Sequence, residues 1–533
     1  MSLLRAANPS TEPSTVPHRG SAGTARRVRR WMSVVVAAAT TGIALTPPPA
    51  MADDLVSPMN STVVITGAGW GHGKGMSQYG AWGAAASGRS HQQILAFYYP
   101  GTTLGKLKSG NTIRVWLTAD TDGVLNVMPE TGLRVRDSAG RSYTLPNGST
   151  YRQWRIKRAG AARVLQYLNG SGAWVTRSTA LARTGRVWTF DNPKRAIVKV
   201  RMPSGKDRDY RGKVALRFYE SSARTVNTVG MEDYLRGVVP REMPTSWHSE
   251  AVQAQSVAAR SYAARAQLSP RASSYDICDT AACQVYGGQD DESTGGDKAV
   301  AATSNEVLRT GSGIALTMFS SSNGGHSADG GTSYLVAKPD PYDARMRNPK
   351  WSKWLTSAQI QAAYPSIGSF RGVQVTTRDG NGPWGGRAEQ VVISGSKGAV
   401  RVTGGSFKSK FGLKERLFAA FGGLQPGTGN HDRWQGDLGG TTGRLGGPDA
   451  SEVAVAGGLF ASFEGGDLYW SKATGSRLLT GAVALAYAKA GGPSGKLGFP
   501  VADVAPGIDG LSAEFQRGTI SCPSSGSCTV SSS

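Results

Sequence analysis

The chain has few of the cysteines and histidines that bind metal ions, and it lacks long apolar segments beyond residue 52. Its 533 residues include only 4 cysteines and 6 histidines. His248 and Glu250 do not form the H-E-x-x-H pattern of a zinc protease. Beyond residue 52, no segment is long and apolar enough to cross a membrane. The polar loops lack a Gly-x-Ser-x-Gly nucleophile elbow, which weakens a serine-hydrolase interpretation. The sequence predicts neither a metal site nor a cofactor.

Acidic residues are also scarce. The 60 Lys and Arg outnumber the 37 Asp and Glu, giving a formal net charge of +23. Without residues 1–52 the balance is 54 basic against 36 acidic residues, or +18. This excess favours a polyanionic partner, either nucleic acid or an anionic cell-wall polymer. A basic surface that is merely solvated is the alternative. No helix-turn-helix, zinc-finger or RNA-binding signature is present.

The few cysteines fall in two close pairs, Cys278/Cys283 and Cys522/Cys528. In an exported protein such pairs indicate local disulfides. A zinc site would need four ligands, and no histidine lies near either pair. Disulfides are therefore the favoured interpretation.

The first 52 residues have the pattern of a secretory signal peptide. The basic run Arg26–Arg30 precedes an uncharged apolar or small stretch from Trp31 to Thr46, and Ala50-Met51-Ala52 supplies a small-x-small cleavage pattern. The paired arginines hint at twin-arginine export, and an uncleaved anchor is the alternative. Export to the cell wall argues against nucleic acid as the partner and predicts no transmembrane segment after cleavage.

The rest of the chain predicts an α+β protein with a strand-rich catalytic domain, a central helix and two small modules. Short alternating runs mark strands across about 104–230, and a small-to-apolar face after Pro244 marks a helix capped by Thr245 or Ser246. The predicted domain spans residues 53–421, and 422–442 is a linker by composition.

Residues 443–533 contain an internal repeat. LGGP at 445–448 matches LGFP at 497–500 at an offset of 52, and further residues match at the same offset, among them Phe463 with Phe515. The two copies resemble the LGFP repeats of actinobacterial exported proteins, which implies attachment to the cell wall. A structural tail without a ligand is the alternative.

The first candidate for chemistry is the glycine segment, residues 67–83. Its glycines at 67, 69, 71, 73 and 75 allow tight or left-handed turns and a close approach to a ligand. Trp70 provides a stacking face, and His72, Ser77 and Gln78 provide hydrogen-bonding groups, a combination that suits sugars. The segment fits neither the G-x-G-x-x-G nor the Walker pattern.

The second candidate is Glu242, just before the predicted helix and among apolar residues. Partial burial would raise the pKa of its carboxyl and keep the acid protonated for donation. Arg260, within the helix, is a candidate to reach a substrate carboxylate or hydroxyl. On its own, Glu242 would more simply be a surface charge at a helix start.

Two polar loops form the third candidate. Residues 278–288 include Gln284 and Tyr286, and residues 318–330 include Ser321 and Asn323, all beside glycines. Such loops can line a cleft, although each is more simply a turn when taken alone.

Together these segments resemble the stage II sporulation protein D / amidase-enhancer LytB family, across about residues 60–421. The resemblance is carried by 69–78, 234–239, 242–244, 251–255, 258–260, 283–288, 323–325 and 340–342. The family usually has the Gly-Trp-Gly-His-Gly segment at the end of the domain, whereas here it stands at the beginning. This difference indicates a circular permutation, which requires domain ends that lie close together.

The resemblance implies an exported lytic transglycosylase that cuts peptidoglycan glycan strands during wall remodelling, with Glu242 as the acid/base. Trp70, His72, Gln78, Arg260, Tyr286, Ser321 and Asn323 are the candidate substrate-binding residues. One alternative is a non-catalytic wall-binding protein that stimulates a partner amidase. Another is a hydrolase, which would need a second carboxylate, Glu250 or Asp340.

Overall fold

The structure is a computed structural model. It describes residues 55–57 and 62–532, apart from 138–140, 160–161, 178–187, 220–221, 312, 344–349, 422–423, 425–427, 441–442, 449–451, 464 and 508. The predicted signal peptide, residues 1–52, lies outside the described residues. Helices occur together with several sheets, and long runs of consecutive strands separate the helices, which confirms the predicted α+β class.

Helices occur in both the large domain and the repeats. They are α1 (Gln78–Ala86), α2 (His91–Tyr98), α3 (Met231–Glu242), α4 (Ser249–Leu268), α5 (Thr294–Ala302), α6 (Ser357–Ala363), α7 (Gly404–Phe411), α8 (Gly429–Gln435) and α9 (Gly481–Lys489). None of the helices in the described part combines the length and hydropathy that crossing a bilayer requires.

The central helix α4 begins later than the sequence predicts. His248 occupies its N-cap position, and no side chain caps it. The predicted cap Thr245 instead shares a hydrogen bond of 2.9 Å with Ser293, which begins α5 as its N-cap. The Thr245 hydroxyl therefore bonds to the residue that begins α5 and does not cap α4.

The strand-rich segment forms two antiparallel sheets. One has the order β10-β9-β8-β5-β12-β13, and the other has the order β16-β4-β15-β14-β11-β6-β7, in which β16 pairs in parallel with β4. The strands are β4 (Thr112–Trp116), β5 (Val124–Val127), β6 (Arg134–Arg136), β7 (Ser142–Thr144), β8 (Gln153–Ala159), β9 (Ala162–Leu168), β10 (Trp174–Arg177), β11 (Trp188–Asp191), β12 (Ile197–Arg201), β13 (Asp207–Arg211), β14 (Lys213–Tyr219), β15 (Ser222–Gly230) and β16 (Ile277–Cys278).

The remaining strands of the large domain form smaller sheets. The orders are β20-β1-β24, β18-β17-β3, β19-β2 and β21-β22-β23. The strands are β1 (Thr62–Ala68), β2 (Met76–Ser77), β3 (Thr103–Lys106), β17 (Glu306–Thr310), β18 (Gly313–Ile314), β19 (Phe319–Ser320), β20 (Lys350–Thr356), β21 (Phe370–Arg378), β22 (Ala388–Gly395), β23 (Gly398–Thr403) and β24 (Phe418–Phe421).

The beginning and the end of the large domain lie side by side. Strand β1 runs between β20 and β24, with Val64 opposite Phe421 and Gly67 opposite Phe418. Neighbouring ends are what a circular permutation needs. The permutation itself stays an interpretation of the sequence, but this pairing places the glycine segment directly after a strand of the domain's own sheet.

Each repeat contains one helix and one four-stranded sheet. The sheets are β25-β26-β27-β28 and β29-β30-β31-β32. The strands are β25 (Val453–Val455), β26 (Gly458–Phe463), β27 (Gly466–Ser471), β28 (Gly475–Leu479), β29 (Ala505–Pro506), β30 (Gly510–Phe515), β31 (Gly518–Pro523) and β32 (Thr529–Ser532). The bridges Pro448–Phe463 and Pro500–Phe515 recur at the offset of 52.

The predicted linker contains folded structure. Helix α8 lies within residues 422–442 and starts 52 residues before α9, so it occupies the same place in the first repeat as α9 does in the second. Its Trp434 is fully buried and donates a hydrogen bond of 3.0 Å to the carbonyl of Gly446. The domain boundaries themselves remain predictions.

The first repeat packs against the large domain. The rings of Trp354 in β20 and Trp434 in α8 lie 5.4 Å apart, and Thr66 Oγ1 donates to the carbonyl of Pro448 at 3.1 Å. A Cβ on Gly447 would lie 1.9 Å from Ser352 Oγ. The second repeat has Phe499 at the equivalent position, so the glycine of LGGP permits this close contact.

Candidate functional site

Glu242 is the last residue of α3 rather than an isolated residue before α4. The C-terminal end of a helix carries partial negative charge, which disfavours an ionised carboxylate there. One hydrogen bond compensates in part, because the backbone N–H of Val285 donates to Glu242 Oε1 at 2.9 Å. The helix end and the loop around Val285 together fix the position of the carboxyl group.

A cavity of about 590 Å³ opens at this carboxyl group. Four segments that are distant in sequence form its walls. The lining residues are Trp70, Gly71, His72, Gln78, Glu242, Tyr262, Arg271, Ala281, Ala282, Cys283, Val285, Met318, Phe319, Ser320 and Ser321. The glycine segment and Glu242 thus share one cavity, as a single site built from both would require.

The glycine segment reaches the cavity through left-handed backbone. Gly71 has a φ of 125°, and a Cβ there would lie 2.5 Å from Cβ of Ser320. Gly73 has a φ of 68°, and a Cβ there would lie 2.1 Å from Nη2 of Arg387. These positions therefore combine an unfavourable φ for other residues with a lack of space, as the sequence predicts for this segment.

His72 is held as a neutral imidazole. The backbone N–H of Lys74 donates to His72 Nδ1 at 3.0 Å, so the ring proton is on Nε2. Burial, together with the charges of Lys74, Lys408 and Arg387, lowers the pKa of His72 to about 4. The Phe319 backbone hydrogen-bonds to the ring and acts on the pKa in the opposite direction, so at neutral pH His72 carries no charge and its ring N–H already has a partner.

Trp70 and Arg271 give the cavity an aromatic and a cationic group. The Trp70 side chain is 58% exposed, and Lys414 Nζ lies 4.7 Å from its ring centroid. Arg271 is exposed and donates to the carbonyl of Ala282 at 3.0 Å. An exposed indole face suits the apolar face of a sugar ring.

Burial raises the pKa of Glu242 above its ordinary value of 4.5. The Val285 N–H, a hydrogen bond from Gln78 and the charge of Arg241 act in the opposite direction. Among the described residues that line the cavity, Glu242 is the only carboxylate. The described lining therefore offers one carboxyl group, with a raised pKa, and no second one beside it.

The proposed second carboxylates have other partners. Glu250 Oε2 accepts hydrogen bonds from the backbone N–H of His91 at 2.6 Å and pairs with its Nδ1 at 3.0 Å. Asp340 is buried, where its Oδ2 accepts from Tyr98 at 2.7 Å and from Asn323 at 2.8 Å. Neither belongs to the cavity lining, so the arrangement does not provide the pair of acids that a hydrolase needs.

Arg260 does not line the cavity, in contrast to the sequence-based expectation. It is fully buried and forms a bidentate pair with Glu232, with distances of 2.7 and 2.9 Å. It also donates to the carbonyl of Glu306 at 3.1 Å. These partners join α3, α4 and β17, so its role in the described structure is to hold the core together.

Two further predicted binding residues also lie elsewhere. Tyr286 is buried, and its hydroxyl donates to Asn227 Oδ1 at 2.8 Å. Asn323 is fully buried against Asp340. Ser321, in contrast, lines the cavity, and its carbonyl accepts from the N–H of Tyr79 at 3.0 Å.

Sequence reasoning missed Tyr262. Within the predicted loop 278–288 it chose Gln284 and Tyr286, whereas Ala281, Ala282, Cys283 and Val285 line the cavity. Tyr262 lies two residues after Arg260 in α4, and such residues point to nearly opposite sides of a helix. Only one of the two could face the cavity, and the spacing alone does not say which one. The close spacing of Cys278 and Cys283 was the sequence signal for a disulfide-closed loop here.

Both predicted disulfides are present. Cys278–Cys283 closes the loop that forms one wall of the cavity, and Cys522–Cys528 lies in the second repeat. In the described part of the chain, no group of three or more His, Cys, Asp or Glu side chains is placed to hold a metal ion.

Two family models match parts of this chain. Residues 219–309, which include Glu242 and the cavity loop, match the family model described as stage II sporulation protein. Residues 445–495 match the LGFP repeat. The glycine segment lies outside both matches.

Relatives match this chain over parts of their length. The amidase enhancer of Bacillus subtilis (strain 168) is 38% identical over 132 residues, which cover 24% of this chain and 17% of the relative. Stage II sporulation protein D of Bacillus amyloliquefaciens is 28% identical over 230 residues, which cover 38% of this chain and 64% of the relative. The chain thus spans less than two thirds of either relative.

The raised pKa of Glu242 predicts a pH-dependent difference in stability. The folded chain keeps this proton to a higher pH than the unfolded chain, so this group's contribution to stability falls as pH rises through the interval above 4.5. The Glu242→Gln variant has no ionisable group at this position, so it does not lose stability as the carboxyl would ionise. We expect its melting temperature to exceed that of the wild type by more at pH 7 than at pH 4.

Calorimetry of both proteins at the two pH values measures this difference directly. Because both proteins contain the same other titrating groups, the contribution of those groups to the melting temperature cancels when the two are compared at one pH. A difference that stays constant, or that shrinks at pH 7, would show that the Glu242 pKa is not raised in the folded protein.

Proposed function

We propose that this protein is an exported, cell-wall-associated lytic transglycosylase that cleaves peptidoglycan glycan strands to 1,6-anhydromuramyl products. The observation that carries the proposal is the single, half-buried carboxyl group of Glu242 in a cavity built with the glycine segment. The stage II sporulation protein match and the LGFP repeat support a role in the cell wall.

One carboxyl group is sufficient for this reaction. Glu242, protonated at the start, donates its proton to the glycosidic oxygen as the bond to C1 of muramic acid breaks. The hydroxyl on C6 of the same sugar attacks C1, and the Glu242 carboxylate then accepts the hydroxyl proton. The product is a 1,6-anhydro ring, no water is consumed, and Glu242 returns to its protonated form.

The other cavity groups have supporting roles in this proposal. Trp70 stacks on a sugar ring and Ser321 hydrogen-bonds to its polar rim, while His72 lines the cavity beside them. Gln78 donates to Glu242 and keeps the carboxyl group oriented toward the scissile bond. Arg271 is placed to contact an anionic group of the strand.

The alternative is a non-catalytic protein that binds the wall and stimulates an amidase. It is favoured by one observation, the 38% identity to a protein named amidase enhancer. That identity covers 17% of the relative, so the proposal rests on the cavity rather than on the name.

Mass spectrometry of purified glycan strands, intact and stripped of stem peptides, separates these functions. After incubation with the disulfide-bonded protein we expect new anhydromuramyl ends. Reducing ends would instead identify a hydrolase. If neither strand type yields products, the catalytic proposal fails and the amidase-enhancer function becomes the better one, to be measured as stimulation of an added N-acetylmuramoyl amidase.

A further inference from the structure

The positive charge of this protein is concentrated in its strand-rich segment. Residues 104–230 hold 24 Lys and Arg against 8 Asp and Glu, a net charge of +16, whereas all residues after 52 together carry +18. Within this segment, residues 138–190 hold 9 Lys and Arg and no acidic residue. The excess thus belongs to one region rather than to the surface as a whole.

The six-stranded sheet divides into two electrostatically different halves. In β12 both cations face an acid of β13 in register, Lys199 opposite Asp209 and Arg201 opposite Asp207, and both pairs form salt bridges. The strands β8, β9 and β10 contain no Asp or Glu. We call these three the cationic strands.

A row of polar side chains crosses the cationic strands. Arg155 Nε donates to Gln166 Oε1 at 2.9 Å, and Gln166 Nε2 donates to Thr176 Oγ1 at 3.0 Å. The Arg155 guanidinium also lies 3.7 Å from the ring centroid of Trp174. These contacts hold the guanidinium in place, and a fixed, partly buried guanidinium is suited to bind an anion.

A second feature shows like charges held together. Arg158 and Arg163 stand directly opposite each other in the register of β8 and β9, and both lie over the ring of Phe218, at 5.4 and 4.4 Å. Like charges opposite each other destabilise a strand pair. Burial and the charge of Arg158 lower the pKa of Arg163. Both arginines therefore add to the positive charge of the cationic strands.

We propose that the cationic strands bind a phosphodiester-linked anionic polymer of the cell wall. Such a polymer carries one charge per repeat along a flexible chain, which matches charges spread over neighbouring strands. Arginine and lysine both bind phosphate oxygens well. This surface is separate from the cavity and does not depend on whether the protein cleaves glycan.

Nucleic acid is the competing polyanion. The chain has the export pattern described above and no nucleic-acid-binding signature, so its encounter with a wall polymer is favoured. The experiment below includes duplex DNA so that this choice is tested.

Binding to purified walls tests the proposal, with walls from which the phosphodiester polymer has been removed by hydrofluoric acid as the comparison. The test variant is Lys157→Gln, Arg158→Gln, Arg177→Gln. The matched control is Arg371→Gln, Lys397→Gln, Arg401→Gln, which removes the same charges from exposed positions on and beside β21 and β23. Thermal unfolding verifies that both variants fold.

We expect the test variant to bind untreated walls at least about tenfold more weakly than the wild type, and the control to bind nearly normally. Walls treated with hydrofluoric acid should bind the wild type as weakly as untreated walls bind the test variant. Inorganic polyphosphate and higher salt should release the wild type, which tests the charge dependence without any substitution. The proposal is overturned if stripping has no effect, if both variants lose binding equally, or if duplex DNA binds the wild type more tightly than the isolated polymer at equal salt.

Discussion

Replacing Glu242 by Gln is expected to lower the rate of anhydromuramyl product formation by about 10²–10⁴-fold, which is the range for loss of a general acid/base. The carboxyl group must both donate a proton to the leaving oxygen and accept one from the attacking hydroxyl. An amide of nearly the same shape can do neither. Because no other carboxylate lines the described cavity, no neighbouring group can take over the proton transfers.

Single-turnover assays on stripped glycan strands, with chromatographic detection of the products, measure this loss. Glu250→Gln is the matched control, since Glu250 lies at the start of α4 and binds His91 outside the cavity. We expect the control to retain a near-normal rate. A Glu242→Gln variant that stays within tenfold of the wild type would remove Glu242 from the proposed mechanism.

Replacing Arg387 by Met is expected to lower the free energy of unfolding by about 3–5 kcal/mol, the usual cost of breaking a buried ion pair from one side. Arg387 and Glu415 are both fully buried, with Arg387 Nε 3.3 Å from Glu415 Oε1. Arg387 also donates to the carbonyls of Asn323 and His326 at 3.1 and 2.9 Å. The substitution leaves a buried carboxylate without its cation and two carbonyls without this donor.

Urea unfolding measures the effect, and Arg201→Met serves as the control. Arg201 pairs with Asp207 where both side chains are about one-third exposed, so its loss should cost no more than about 1 kcal/mol. Equal losses in the two variants would mean that burial does not set the strength of the Arg387 pair. Because Arg387 packs against Gly73, the Arg387→Met variant should also lose activity through the glycine segment.

The sequence predicted the strands and the glycine segment well because local signals determine them. Strand β1 follows from the alternation in TVVITG, and left-handed glycines mark the turn after it. The partial burial of Glu242 was also predictable from the surrounding apolar residues, but its position at the end of α3 was not, because only the following helix was predicted. These features depend on neighbours within a few positions in the chain.

The failures concern residues whose partners are far away in sequence. Arg260 looked like a ligand because the sequence does not show that Glu232 and the carbonyl of Glu306 satisfy its guanidinium. Tyr286 and Asn323 are likewise satisfied by Asn227 and Asp340. A polar residue near a glycine looks the same in sequence whether it faces a cleft or a buried partner.

The contact between the first repeat and β20 has a consequence for how such a protein would work in a wall. Residues from Ala50 to Ser533 form one compact unit, and Gly447 is packed against Ser352 in it. A catalytic domain joined to its binding module by a flexible linker would reach every bond within the length of that linker. If the repeats hold the wall and the cavity cuts glycan, as proposed, this contact would set the distance between the point of attachment and the bond that is cut.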